Sequence, residues 1–410
     1  MSLRFTHIYF AFAAGYLLSY LYRTVNAVIS PELSRDLALN PSSLGLLTSA
    51  YFIGFAAMQI PVGILLDRYG PRRVEPVLLA IAAGGAALFA FAESLTGLAV
   101  ARALIGAGVC ACLMAPLKAI AAWYPADRHA SYSGWIMVAG GVGALATTVP
   151  LEFALKFTHW RGVFVGLSAV TLAVALAIWW RVPDIEKPVD SGGLATQFAG
   201  VRRVFVHPRF WWLAPVAGFA MGSFMAIQGL WAVPWLMDVE GSTRATAANH
   251  LLAMNAVIML GYALLGFFGT RLAHRGVHAR HLFAAGFAVN VVALALIVAG
   301  VPGSYVWWSL FGLGAAVNVL AFTVLNEGFG RELAGRTNTT LNLLMFTGSF
   351  VTQWGIGVVV DAARVLYALD TAGALRVAFA IILVGDVVTY AWFVRGWKRF
   401  GVHVPVPAPA

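Results

Sequence analysis

Twelve stretches of about twenty apolar residues follow one another along this 410-residue chain, and nearly every break between them is short. Their approximate limits are 7–29, 44–66, 74–94, 98–123, 131–153, 162–181, 210–236, 246–270, 281–300, 305–328, 337–362 and 375–396. A stretch of that length with so few water-facing groups is a bilayer-crossing helix, because lipid leaves the backbone no partner but itself. Composition agrees: 60% of the residues are hydrophobic and 11% charged, against about 25% charged in soluble domains. The expectation is an all-α membrane protein of twelve transmembrane helices.

The net charge of +10 does not point to nucleic acid, since the basic residues lie in short loops, where they set topology and meet lipid headgroups. The first segment carries Arg4 but has a long apolar run and no small-residue cleavage site after it, so it reads as a span rather than a cleaved leader. Cys110 and Cys112 sit inside an apolar segment on different sides of a helix, which favours neither a disulfide nor a metal site.

The one long polar connection, 182–209, carries Asp184, Glu186, Lys187, Asp190, Arg202, Arg203 and Arg209. It divides the chain into an N-terminal six-helix bundle, 1–181, and a C-terminal one, 210–396, with a tail at 397–410. With both termini placed in the cytoplasm, cytoplasmic loops hold roughly three times as many Lys and Arg as those outside, a positive-inside pattern. The linker and the tail are then cytoplasmic.

Between the second and third segments lies Gly63-Ile64-Leu65-Leu66-Asp67-Arg68-Tyr69-Gly70-Pro71-Arg72-Arg73. The second half repeats it in weakened form at Gly266-Phe267-Phe268-Gly269-Thr270-Arg271-Leu272-Ala273-His274-Arg275-Gly276, with Thr270 where Asp67 stood. The 63–73 run resembles the loop signature of the major facilitator superfamily, G-x-L-x-D-R-x-G-R-R, departing from it at Pro71 and in the register of the last arginines. That resemblance implies two pseudo-symmetric six-helix bundles and a substrate site between them near mid-membrane. It also implies that Asp67, Arg68, Arg72 and Arg73 form a conformational latch, with Asp127 and Arg128 sharing in it.

Charges inside spans are costly and need a reason. Arg23 stands well inside the first span, in Ser19-Tyr20-Leu21-Tyr22-Arg23-Thr24-Val25-Asn26. Its planar, permanently charged fork matches a carboxylate or phosphate. One turn of helix places Tyr20, Arg23, Ala27 and Ser30 near one face, with Asn26 beside them. The segment is similar to the first span of the organophosphate antiporters and anion:cation symporters within the superfamily. The similarity implies that Arg23 binds an anionic substrate group. The alternative is an arginine snorkelling to the outer interface.

The fourth span reads Arg102-Ala103-Leu104-Ile105-Gly106-Ala107-Gly108, then Pro116-Leu117-Lys118 and Trp123-Tyr124-Pro125. It resembles the family's R-x-x-x-G-x-G pattern. The resemblance implies a cavity-facing base at Lys118, while Val109 stands where a proton-binding carboxylate is often found. Arg102 is open to a bracing role. In the second half Gln228, Trp231, Asn318, Asn342 and Gln353 are candidate substrate contacts; amides at such positions also serve as plain interhelical glue. Pro234, after Gln228, can break its helix and free carbonyls.

Three acids are candidates for proton coupling: Glu152, Glu327 and Asp386, the last in the twelfth span, which the family usually keeps out of the central cavity. The drug-antiporter hinge G-x-x-x-G-P-x-x-G-G is absent from the fifth span. No Walker sequence and no nucleophile or metal cluster appears, which leaves no argument for an enzyme, a cofactor or a metal. The expected function is secondary active transport of a small organic anion by alternating access. It would be driven by protons or a counter-solute, in a monomer of the bacterial inner membrane. An exporter of amphipathic compounds and a non-transporting membrane sensor are the alternatives.

Overall fold

A computed structural model describes residues 3–123, 129–184, 194–329 and 334–400, and every regular element among them is helical. They form two compact units, Met1–Gly193 and Leu194–Ala410.

In the first unit the helices are α1 (Leu3–Asp36), α2 (Pro41–Ala57), α3 (Gln59–Tyr69), α4 (Pro71–Phe91), α5 (Leu95–Val109), α6 (Met114–Trp123), α7 (His129–Ala146), α8 (Val149–Ala154) and α9 (Trp160–Arg181). Local chemistry sets their limits. The Asn40 side chain accepts from the Ser43 amide at 2.8 Å and Pro41 opens α2, satisfying a helix start in two ways. Gly70, at φ 73°, takes the left-handed turn that ends α3, and Pro71 starts α4 at once. The second expected span is thus α2 and α3 together, bent by 45° at Met58. The fourth is α5 and α6, joined through a turn at residues 110–113. The fifth is α7 and α8, broken at Thr147-Thr148.

The second unit holds α10 (Leu194–Phe205), α11 (Pro208–Ala226), α12 (Ala232–Pro234), α13 (Arg244–His274), α14 (Ala279–Val298), α15 (Ser304–Ala315), α16 (Leu320–Asn326), α17 (Ala334–Tyr367) and α18 (Thr371–Phe400). π-helical turns at Ile227–Trp231 and Trp235–Val239 flank α12, and a 3-10 turn at Ala316–Val319 joins α15 to α16. The seventh span therefore continues from α11 through residue 239. Its irregular stretch brackets Pro234, which has no amide hydrogen to give the ladder. The linker expected at 182–209 contains α10, which packs on α17.

Both units repeat one packing pattern. The first span pairs with the fifth (α1 with α7), the second with the fourth (α2 with α5), and the third with the fourth and sixth (α4 with α5 and α9). The second unit does the same: α11 with α17, α13 with α15, and α14 with α15 and α18. Small residues allow the close contacts. A Cβ added to Gly106 would strike the Tyr51 carbonyl, and one on Gly54 the Ala103 carbonyl, so α2 and α5 touch backbone to backbone. Trp212, Phe283, Phe287, Met345 and Phe393 fill the core of the second unit.

Nine helices among the described residues are long and apolar enough to cross a membrane, ten if the bent α2–α3 pair is one span. Of the twelve expected segments, the first and fifth fall outside that criterion. The first, in α1, is diluted by Ser19, Arg23, Thr24, Asn26 and its tyrosines, and the fifth is interrupted at Thr147-Thr148.

Candidate functional site

Arg23 lies on α1 and is 5% exposed. Its guanidinium stands over the Tyr20 ring, 4.6 Å from the centroid, and over Phe55 of α2 at 5.4 Å. Tyr16 and Tyr51 are also within its electrostatic reach, with a side-chain hydrogen bond to Tyr51. The charge is therefore held inside an aromatic cage, where ring faces attract a cation. Snorkelling does not describe a guanidinium at that depth of burial among rings of two helices.

The surrounding polar residues support α1 itself. Arg102, fully buried on α5, donates to the Tyr22 carbonyl at 2.8 Å and stands 5.1 Å from the Tyr51 ring. It braces the turn that carries Arg23, the structural alternative left open by the sequence. Asn26 is fully buried and donates to Thr48 on α2 at 3.0 Å. It ties the two helices together.

In the second unit the irregular seventh span gathers amides. Gln228 donates to the Asn255 side-chain oxygen at 2.6 Å, and Asn255 in turn to the Leu251 carbonyl at 2.8 Å. Trp231 donates to the Gln353 carbonyl at 2.9 Å. The Gln353 side chain is 0% exposed and neither its oxygen nor its nitrogen has a partner. Asn318, on the 3-10 turn, reaches the Ala220 carbonyl at 3.4 Å and leaves its own oxygen unmatched. Asn342 lies half-buried on α17. Gln228, Trp231 and Gln353 come together; Asn318 belongs to a contact farther back along α11.

The charged loop makes a separate cluster. Lys118 of α6 donates to the Leu66 carbonyl at 2.8 Å and forms an ion pair with Asp67. Arg72 and Arg73 both reach the Asp184 carboxylate, at 3.3 and 3.0 Å, and Arg72 also donates to the Trp179 carbonyl. Arg68 stands 5.3 Å from the Tyr69 ring. Asp127 and Arg128 lie outside the described residues.

The model of the Major Facilitator Superfamily matches residues 12–353, most of both units. The chain is a member of that superfamily. It is 25% identical over 397 residues to the hexuronate transporter of Escherichia coli strain K12, covering 88% of this chain and 90% of that one. It is 23% identical over 387 residues to the membrane sensor protein UhpC of the same strain, covering 87% and 86%. Among solved structures, a bacterial homologue of the human lysosomal transporter Spinster, inward-facing and unoccupied, superposes with a TM-score of 0.81 at 19% identity over the full length of both chains. Membership of that superfamily places the chain among membrane transporters rather than enzymes.

Within this facilitator the sequence-derived site is only partly brought together. Lys118, expected beside the substrate, is engaged by Asp67 at the loop, because α6 starts anew after the 110–113 turn and carries Lys118 toward the end of α3. The loop charges form two separate ion-pair groups, Asp67 with Lys118 and Arg72 and Arg73 with Asp184, partners that the loop motif alone does not name. Of the three candidate proton carriers, Glu152 pairs with Lys156 one turn on, at 4.0 Å. Glu327 follows α16 within electrostatic reach of Arg209. Asp386 is 0% exposed and accepts from Ser223 at 3.2 Å, its second oxygen unmatched. Val109 is fully packed on α5. One buried acid escapes sequence reasoning altogether: Glu75 on α4, 0% exposed. Standing two residues after Arg73, it reads in the sequence as one more charge of the loop.

Proposed function

We propose that this facilitator carries a small carboxylate-type organic anion across the membrane by alternating access, taking it up with protons, and that Arg23 holds the carboxylate. The observation that carries the reading is the depth of Arg23: a permanent cation, 5% exposed, inside an aromatic cage on the first span. A charge retained so deep in a bilayer-spanning helix marks a solute or ion path. The hexuronate transporter relative supports a sugar acid as the substrate class. On this reading Tyr20 and Asn26 shape the wall around Arg23. The two loop ion-pair groups, Asp67 with Lys118 and Arg72 and Arg73 with Asp184, latch one state of the cycle. The protein works as a monomer in a bacterial inner membrane with both termini cytoplasmic.

Thermal stabilisation of the purified protein tests the anion site, because a ligand bound to the folded state raises its apparent stability. Glucuronate, gluconate, phosphorylated sugars, amino acids and neutral sugars form the panel. The expected result is stabilisation by monocarboxylates, abolished in Arg23→Ala. Arg23→Lys keeps the charge and loses the fork, so binding weakens by about 10- to 100-fold. Stabilisation that survives Arg23→Ala, or that appears only with neutral or cationic compounds, overturns the proposal. The sensor relative UhpC supports a second reading, in which the same site binds its anion and no flux follows.

A further inference from the structure

Glu75 sits on α4, five residues into the third span, and no part of it is exposed. Neither carboxyl oxygen has a nitrogen or oxygen partner, and no ion pair among the described residues includes it. The polar group that reaches its carboxyl is the Cys112 thiol, on the turn between α5 and α6. Cys110, on the same turn, is within its electrostatic range. On the other side stands α1. A Cβ at Gly15 would lie 2.5 Å from the Glu75 Oε1 and 3.9 Å from the Cys112 sulfur, so Gly15 makes the room that the carboxyl occupies. Two elements, α1 and the turn, therefore close on this acid of α4, and each offers it a small or weakly polar neighbour.

That placement excludes the usual structural uses of a buried acid. Among the described residues Glu75 caps no helix, bridges no base and satisfies no backbone amide. Ionisable groups retained inside spans without such duties mark ion or proton paths. A hard cation takes several oxygen ligands, whereas the neighbours here are a glycine and two thiols, which suit a proton. Gly15 and Arg23 lie two turns apart on α1, about 12 Å along its axis, and Cys112 is within electrostatic range of Arg23. Glu75 is thus linked through Cys112 and through α1 to the anion-binding arginine.

We propose that Glu75 takes up and releases the coupling proton of this transporter, at a position on the third span, in place of the carboxylate that Val109 cannot supply. The proposal rests on the organic-anion reading of Arg23. The step is proton binding to a carboxylate, giving a neutral carboxylic acid, and its reversal. An anion at Arg23 offsets the guanidinium charge and so strengthens proton binding at Glu75. By reciprocity the proton strengthens anion binding by the same factor. The titratable groups that reach Glu75 from the elements packed on it are Cys110 and Cys112 on the turn, and Arg23 on α1 reaches Cys112.

Two measurements on the full-length purified protein decide it. The first needs no substrate: infrared spectra from pH 5 to pH 9, wild type against Glu75→Gln, with Cys112→Ala as a second variant that leaves the acid in place. The expected result is a protonated-carboxyl band that disappears as pH rises, is missing in Glu75→Gln and moves in frequency in Cys112→Ala. Arg23→Ala shifts the pH at which it disappears. A Glu75 band that is constant over the whole range, or one indifferent to Arg23, overturns the proposal. The second measures labelled glucuronate in proteoliposomes. Glu75→Gln should keep exchange of internal for external glucuronate while losing accumulation driven by an acid exterior. The wild-type affinity should tighten by about fivefold or more from pH 8 to pH 6, and that of Glu75→Gln stay flat. Full acid-driven accumulation by Glu75→Gln overturns the proposal. A wild type that ignores glucuronate counts against the organic-anion reading, while the infrared titration still decides independently whether Glu75 exchanges a proton.

Discussion

Gln353 is fully enclosed, yet both polar atoms of its side-chain amide are unmatched. An unmade hydrogen bond of that kind costs about 1–3 kcal/mol, and with Gln353 read as a substrate contact, a ligand beside it supplies the missing partner. Gln353→Met, close in shape and without the amide, should therefore raise the melting temperature of the ligand-free protein and weaken anion-induced stabilisation. A lower melting temperature with binding intact would make Gln353 a packing residue. A different residue-scale effect acts at the end of α1. Asp36 accepts from the Trp160 indole at 3.0 Å and lies 3.4 Å from His159. The indole hydrogen bond foremost, with the charges of His159 and Arg35 and against the opposing effect of burial, holds its carboxyl below the usual carboxylate range. A carboxyl shifted down on folding adds stability that is present above its unfolded value, about 3.9, and is lost as pH falls through the folded one. Melting curves between pH 3 and pH 7 should fall more steeply on the acid side in wild type than in Trp160→Phe; equal slopes would contradict the assignment.

Among the elements, the pairing of Lys118 with Asp67 joins α6 to the end of α3, while Arg72 and Arg73 join the start of α4 to the residues after α9. Both partners in the first pair keep a quarter to a third of their side chains exposed, so solvent screens them and the expected coupling is about 0.5–1 kcal/mol. A double-mutant cycle of Asp67→Asn and Lys118→Met, read by melting temperature, should show the double variant no less stable than the worse single one. Strictly additive losses would mean that the two side chains act apart. The same elements show what a sequence conveys and what it withholds. The loop 63–73 is legible because glycine, proline and clustered charge between two apolar runs have few structural uses. The role of Lys118 is not, since its partner lies about fifty positions upstream in the chain and meets it only because the fourth span breaks at 110–113. Glu75 is hidden by adjacency: beside Arg72 and Arg73 it resembles an interface charge, and only the depth of α4 reveals it as enclosed. Arg23 stands out because nothing else in the first span is charged so far from a loop. Its cage of Tyr16, Tyr20, Tyr51 and Phe55 draws on two helices that no local pattern relates.

For the whole molecule, twelve apolar segments and the weak internal repeat are enough to expect two six-helix halves, and the helix pairings repeat from one unit to the other. Apolar periodicity reports such architecture well, because lipid imposes it on every span alike. It says little about the solute, which depends on a few polar side chains. Passage of a carboxylate by way of Arg23 is therefore best tested by flux. Purified protein in proteoliposomes, acid outside, is given labelled glucuronate, with Arg23→Ala beside it. The wild type should accumulate the label above its external concentration, and Arg23→Ala should accumulate none. Equal accumulation by the variant would remove Arg23 from the transport path. A wild type that binds glucuronate tightly yet moves none of it would rule out transport and establish a sensor.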